Sequence, residues 1–129
     1  MLKKGNKLYS ILTGSCPKCH SESMYINRNL FMVSQLFKMH ERCSQCKTKY
    51  KIEPSFFYGA MYVSYGIGIV FAITIFVITF LLIGVSLVNS FIAITIAIIL
   101  LFPVIARLSR NIWINIFMKY DKDLANQSK

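Results

Sequence analysis

From Phe56 to Ala106 the chain has no Asp, Glu, Lys, Arg or His, while all fifteen of its Lys and Arg residues lie outside that stretch. A soluble core helix shows a polar face every few residues, and this run shows none. It reads as membrane-embedded. The first apolar run, about Phe57 to Ile83, would rise roughly 40 Å as a helix, and the second, about Leu87 to Ala106, roughly 30 Å, against a hydrocarbon core about 30 Å thick. Only the stretch GVSLVN links them, which is too brief for a domain. The two runs predict an all-α two-helix transmembrane hairpin over residues 54–106, with Pro54 at the start of the first helix and Pro103 kinking the second.

The opening MLKKGNKLYSILTG lacks the apolar core of a secretory signal, so the first span is expected to stay as an anchor. With 55% apolar residues and a net charge of +10, the chain separates its two materials, and the basic surplus sits at both ends. Lys47, Lys49 and Lys51 precede the first span, Arg107 and Arg110 follow the second, and the link is uncharged. The positive-inside rule then predicts a multi-pass inner-membrane protein with both termini in the cytoplasm.

CPKC at 16–19 is answered by CSQC at 43–46. In a reducing compartment such a double pair points to a metal site rather than disulfides. A two-residue spacer lets one tight turn aim both sulfurs at one point, and two such turns complete the tetrahedron that Zn²⁺ takes with thiolates. Cys16, Cys19, Cys43 and Cys46 are therefore the expected ligands of a structural Zn²⁺. A segment of about fifty residues seldom folds on its core alone, and metal binding supplies the missing stability. His20 and His40 are read as ordinary surface or packing residues. The rival chemistries are a rubredoxin-like iron site carrying electrons and a CPKC redox dithiol, though the latter lacks a thioredoxin-type strand and helix around it.

Residues 1–53 are thus expected to form a small cytoplasmic zinc ribbon, β-rich and metal-stabilised. Leu30, Val33, Leu36 and Phe37 suit one helical face or the strands of a ribbon hairpin equally well. Leu30, Phe31, Leu36 and Phe37 either pack under the metal or dip into the inner leaflet. In the membrane half, Ser64, Gly68 and Ala72 recur every four residues on the first helix and Ala93 and Ala97 on the second, a spacing that lets helix backbones approach. The stripe serves either the hairpin itself or a foreign helix. Tyr58, Tyr62 and Tyr65 fall near the cytoplasmic end, where phenols anchor at the interface. Beyond Pro103, Arg107, Arg110, Asn111, Asn115, Lys119 and Lys122 share one side of a helix, with Trp113 among the apolar residues around the others. Residues 107–129 are read as a C-terminal amphipathic interfacial helix and tail, with Arg107, Arg110, Trp113 and Lys119 meeting anionic headgroups of the lipid bilayer.

The order of a four-cysteine ribbon, then EPSFFYGAMYVSYG opening the first span, then RLSRNIWINIF leaving the second, resembles the bacterial zinc-ribbon membrane family catalogued as domain of unknown function 983. The resemblance covers about Leu8 to Asp121 and implies a zinc-binding protein of the bacterial inner membrane, carried here by Cys16, Cys19, Cys43 and Cys46. It implies no reaction. Ribbons of that family often place Gly directly after the second cysteine of a pair, where positive φ eases the turn; here His20 and Lys47 stand instead.

There is no candidate nucleophile with a base, no open metal position and no phosphate loop, so the expected role is non-enzymatic. The leading expectation is an accessory subunit or assembly factor of a larger membrane complex. RNA or ribosome docking through the basic ribbon is the less favoured alternative, since positive-inside patterning already accounts for the charge.

Overall fold

The computed structural model describes residues 6–52 and 55–127; Pro54 lies outside them. Two helices dominate. Helix α2 runs Tyr58–Phe76 and continues as a π-helical turn over Val77–Leu82, and α3 runs Leu87–Phe117. Both are long and apolar enough to cross a membrane and fit a membrane protein. In hydrocarbon every backbone group must be satisfied within its own segment, and a threonine hydroxyl finds its nearest acceptor one turn back. Thr74 accordingly donates to Val70 O at 2.7 Å, Thr79 to Ile75 O at 2.8 Å and Thr95 to Phe91 O at 3.0 Å. The chain reverses between the helices at Gly84, whose φ of +74° suits a residue without Cβ.

The predicted second span and the predicted interfacial helix are one object. Helix α3 is continuous through Pro103 and extends to Phe117, so no separate C-terminal amphipathic helix forms over 107–117. Its lower stretch leaves the apolar run and enters the cysteine-bearing module instead. Ile114 and Met118 join Cys16, Cys19, Met24, Tyr25, Cys43 and Tyr50 in one buried cluster. Helix α1, Lys7–Thr13, packs on this stretch and ends at Gly14, whose φ is +66°. A short helix α4, Lys122–Gln127, follows.

The β-rich ribbon is not formed. Among the described residues there is no strand, only isolated antiparallel bridges at Ser15↔Ser23, Tyr25↔Met39 and Arg42↔Lys49. The first and third of these each close one cysteine turn and stop. A ladder would have to continue from Tyr25 through residues 27–29, but the carbonyls of Asn27, Arg28 and Asn29 accept hydrogen bonds from Arg107. Backbone acceptors used by a side chain are withdrawn from strand pairing. The segment between the cysteine pairs likewise holds a single 3₁₀ turn, Val33–Gln35, rather than a helix. Leu36 is buried beneath it, whereas Phe31 is 84% exposed.

Candidate metal centre

Each cysteine pair sits on the same local device. His20 N donates to Cys16 O at 3.0 Å and Lys47 N to Cys43 O at 2.9 Å, so both turns close four residues on. The closing residues take φ of +54° at His20 and +55° at Lys47, the left-handed region that glycine would occupy without strain. Inside each turn the backbone N–H groups point at the leading sulfur, those of Lys18 and Cys19 at Cys16 and those of Gln45 and Cys46 at Cys43. Glu22 joins the two turns by accepting from Ser44 N at 2.8 Å and Ser44 Oγ at 3.1 Å. The Ser44 backbone donor is the main reason its carboxyl lies below the usual range.

The turns bring the four sulfurs within 4.8 Å of one another, with Cys16 to Cys46 at 3.7 Å and Cys19 to Cys43 at 3.6 Å. All four cysteines are free thiols. A tetrahedral ion with bonds of about 2.3 Å to sulfur sets neighbouring sulfurs about 3.8 Å apart, so the residues fit one four-sulfur ion. Burial pushes the Cys16 and Cys43 thiols up. Burial also opposes ionisation of Cys46, but the Thr48 side chain and backbone and the Cys43 and Cys16 thiols outweigh it and bring its pKa to about 7. In so dry a site a set of thiolates requires a cation among them, and such an ion would add its binding energy to the folding of the module. Tyr50 adds to the fit. It is 1% exposed, its hydroxyl has no partner in hydrogen-bonding geometry among the described residues, and the Cys43 and Cys16 thiols lie close enough to reinforce the rise that burial gives its pKa. A phenol placed there can donate to a ligating sulfur.

Neither histidine joins the cluster, whose members are the cysteines alone. His20 is 3% exposed, with ring centroids 5.7 Å from Tyr9 and 4.7 Å from Tyr120, and so ties the first turn to α1 and to the segment after α3. Burial lowers its pKa.

Arg107 is only 9% exposed: it donates to the Asn27, Arg28 and Asn29 carbonyls and stacks on the Tyr25 ring, with 4.5 Å to the centroid. Arg110 lies over the rings of Phe37 and Phe57, at 4.4 and 4.7 Å. Trp113 donates Nε1–H to Phe56 O at 2.6 Å, and Lys119 is exposed beyond the end of α3. Ser64, Gly68, Ala72, Ala93 and Ala97 are all half-buried on α2 and α3. A Cβ at Gly68 would meet nothing within 4 Å. The close backbone approach is made elsewhere, at Gly59, where a Cβ would run into the Trp113 ring.

Two residues that helical periodicity placed on one side with Arg107 complete the module. Asn111 donates to Ile11 O at 2.7 Å and accepts from the Tyr25 hydroxyl at 2.9 Å, and Asn115 donates to Ser10 Oγ at 3.1 Å. The Asn pair four apart on a helix was the available signal, and its polar side faces the module.

No curated protein and no solved structure matches the chain. A family model does match, over residues 33–118, which takes in Cys43, Cys46, both long helices and Met118 but not Cys16 or Cys19. On that match the chain belongs to the family described as a protein of unknown function (DUF983).

Proposed function

We propose that this chain is a non-enzymatic protein of the bacterial inner membrane, with both termini cytoplasmic and structural Zn²⁺ in its thiolate site, and that it serves a larger membrane complex as accessory subunit or assembly factor. The observation that carries the reading is the continuity of α3. One helix runs from the apolar stretch into the core of the cysteine module, so the module is held rigidly against the bilayer. Four thiolates use every tetrahedral position, which suits a scaffold and leaves no place for substrate. The module also keeps Ile26, Phe31 and Ile52 more than half exposed, apolar contacts of the kind a protein partner covers.

The test is a photo-cross-linker at Phe31, compared with one at the lipid-facing Leu100, in the full chain in its native membrane, with metal analysis of the purified protein. The expected result is about one zinc per chain and a discrete protein adduct from position 31 that Cys43→Ser abolishes. Iron with a coloured charge-transfer band would instead make the chain an electron carrier. An adduct to RNA, or lipid adducts alone from both positions, would overturn the reading.

A further inference from the structure

Two cavities meet at Arg110. The first, about 570 Å³, lies between α2 and α3 and is walled by Gly68, Ile98, Phe102 and Ile105. The second, about 590 Å³, opens on the cysteine module and is lined by Lys38, His40, Glu41 and Lys51. Phe37, Phe57, Met61 and Arg110 belong to both walls. Arg110 has five N–H donors, of which one finds an acceptor among the described residues, Phe37 O at 3.3 Å. Among the described residues no carboxylate pairs with it, and Glu41 is the one acidic residue that lines the second cavity.

We propose that the two cavities form one site for a single phospholipid with an anionic headgroup, its phosphate at Arg110 with Lys38 and Lys51 in reach, and an acyl chain in the groove between α2 and α3. The dimensions favour this occupant. Along α2 the apolar lining extends from Phe57 to Gly68. That is about 16 Å at 1.5 Å per residue, the depth of one leaflet of a hydrocarbon core about 30 Å thick. The cavity also opens inside the uncharged stretch, where a soluble anion has no route, while the cations gather where that stretch ends. Basic pockets between membrane helices hold anionic headgroups by this combination of charge and depth.

The test is native mass spectrometry of the full chain in detergent, titrated separately with phosphatidylglycerol, phosphatidylcholine of the same acyl chains, and glycerol phosphate, with bound metal per chain as the measure of folding. Wild type is expected to retain phosphatidylglycerol about tenfold better than phosphatidylcholine, the worth of a charge-assisted hydrogen bond. Arg110→Gln should erase that preference and leave phosphatidylcholine retention unchanged. Gly68→Leu has room for its side chain and should weaken retention of both lipids while keeping the metal. Equal retention of the two lipids by wild type would overturn the proposal. So would undiminished phosphatidylglycerol retention by Gly68→Leu, or glycerol phosphate binding as tightly as the lipid, since either reduces the site to a headgroup pocket.

Discussion

Helix α3 passes through two solvents, and its two stretches are built differently. Between Phe91 and Leu101 it is apolar on every side, with Ile96, Ile99 and Leu100 more than half exposed and its one threonine bonded back to its own helix. Between Ile105 and Phe117 it buries Arg107, Ser109, Asn111 and Asn115 together with Ile114. In lipid, side chains gain nothing from finding protein neighbours, so the upper stretch needs no packing face. Out of lipid, burial must be supplied by protein, and each buried polar group needs a partner of fixed position. Ser109 bonds back to Ala106 O, and Arg107, Asn111 and Asn115 find their partners in residues 10–29, which the cysteine turns hold in place. The upper stretch should therefore be indifferent to metal, and the lower one should depend on it.

Breaking the site gives the largest expected effect. Chelation, or Cys43→Ser, removes a contribution on the order of 10 kcal/mol, judged from small zinc-binding modules. Hydrogen exchange should then rise across residues 105–117 and in the 6–52 module, while amides 88–101 keep their protection. Equal protection in both stretches after metal loss would mean that α3 holds the module without help from the sulfurs.

Gly59 offers the next largest effect. It lies against the Trp113 ring where α2 and the lower stretch of α3 meet, and an added methyl has no room there. Overpacking of a well-packed site costs about 1 to 3 kcal/mol. Gly59→Ala should lower the thermal midpoint and shift Trp113 emission, whereas Gly68→Ala, facing open space, should do neither. If the two variants behaved alike, the junction would be looser than the Trp113 contact implies.

Arg107 separates two readings of the same residue. A cation facing headgroups is served equally well by Lys, but one that forks to the Asn27, Arg28 and Asn29 carbonyls is not. Arg107→Lys is expected to cost about 1 to 2 kcal/mol, the loss of one or two such bonds. Urea unfolding of the module in micelles measures it, and a silent substitution would return Arg107 to the membrane surface.

That residue also marks how far the sequence was legible. The spans could be read because the absence of charge over residues 56–106 is a local property, and the four sulfurs because Cys-x-x-Cys spacing is local too. Helical periodicity correctly gathered Arg107, Asn111 and Asn115 on one side of a helix, but it cannot say whether lipid headgroups or protein carbonyls meet that side. The same kind of information is missing for the ribbon. Whether residues 27–29 extend a ladder depends on a side chain 78 to 80 positions away. Gly59 had no signal at all within its own helix, since its neighbour Trp113 lies on the other one. Small residues at 64, 68 and 72 were conspicuous by spacing, yet spacing does not show that Gly68 opens on a cavity.

The smallest expected effect concerns the two cysteine turns. Both end on a non-glycine residue with positive φ, at His20 and at Lys47. For an ordinary L residue that conformation costs about 1 to 2 kcal/mol, and glycine in its place gives back about 0.5 to 1 kcal/mol through greater freedom when unfolded. At His20 the strain is offset by the ring contacts with Tyr9 and Tyr120, so replacing it would remove packing as well. Lys47 is exposed, and among the described residues its side chain makes no hydrogen bond or ion pair that the exchange would remove. Lys47→Gly should thus stabilise the metal-loaded module by about 0.5 to 1 kcal/mol, seen as slower metal release to a chelator, while exchange in the upper stretch of α3 stays unchanged. A variant that released metal faster would show that the left-handed turn at Lys47 is held by something other than its own backbone.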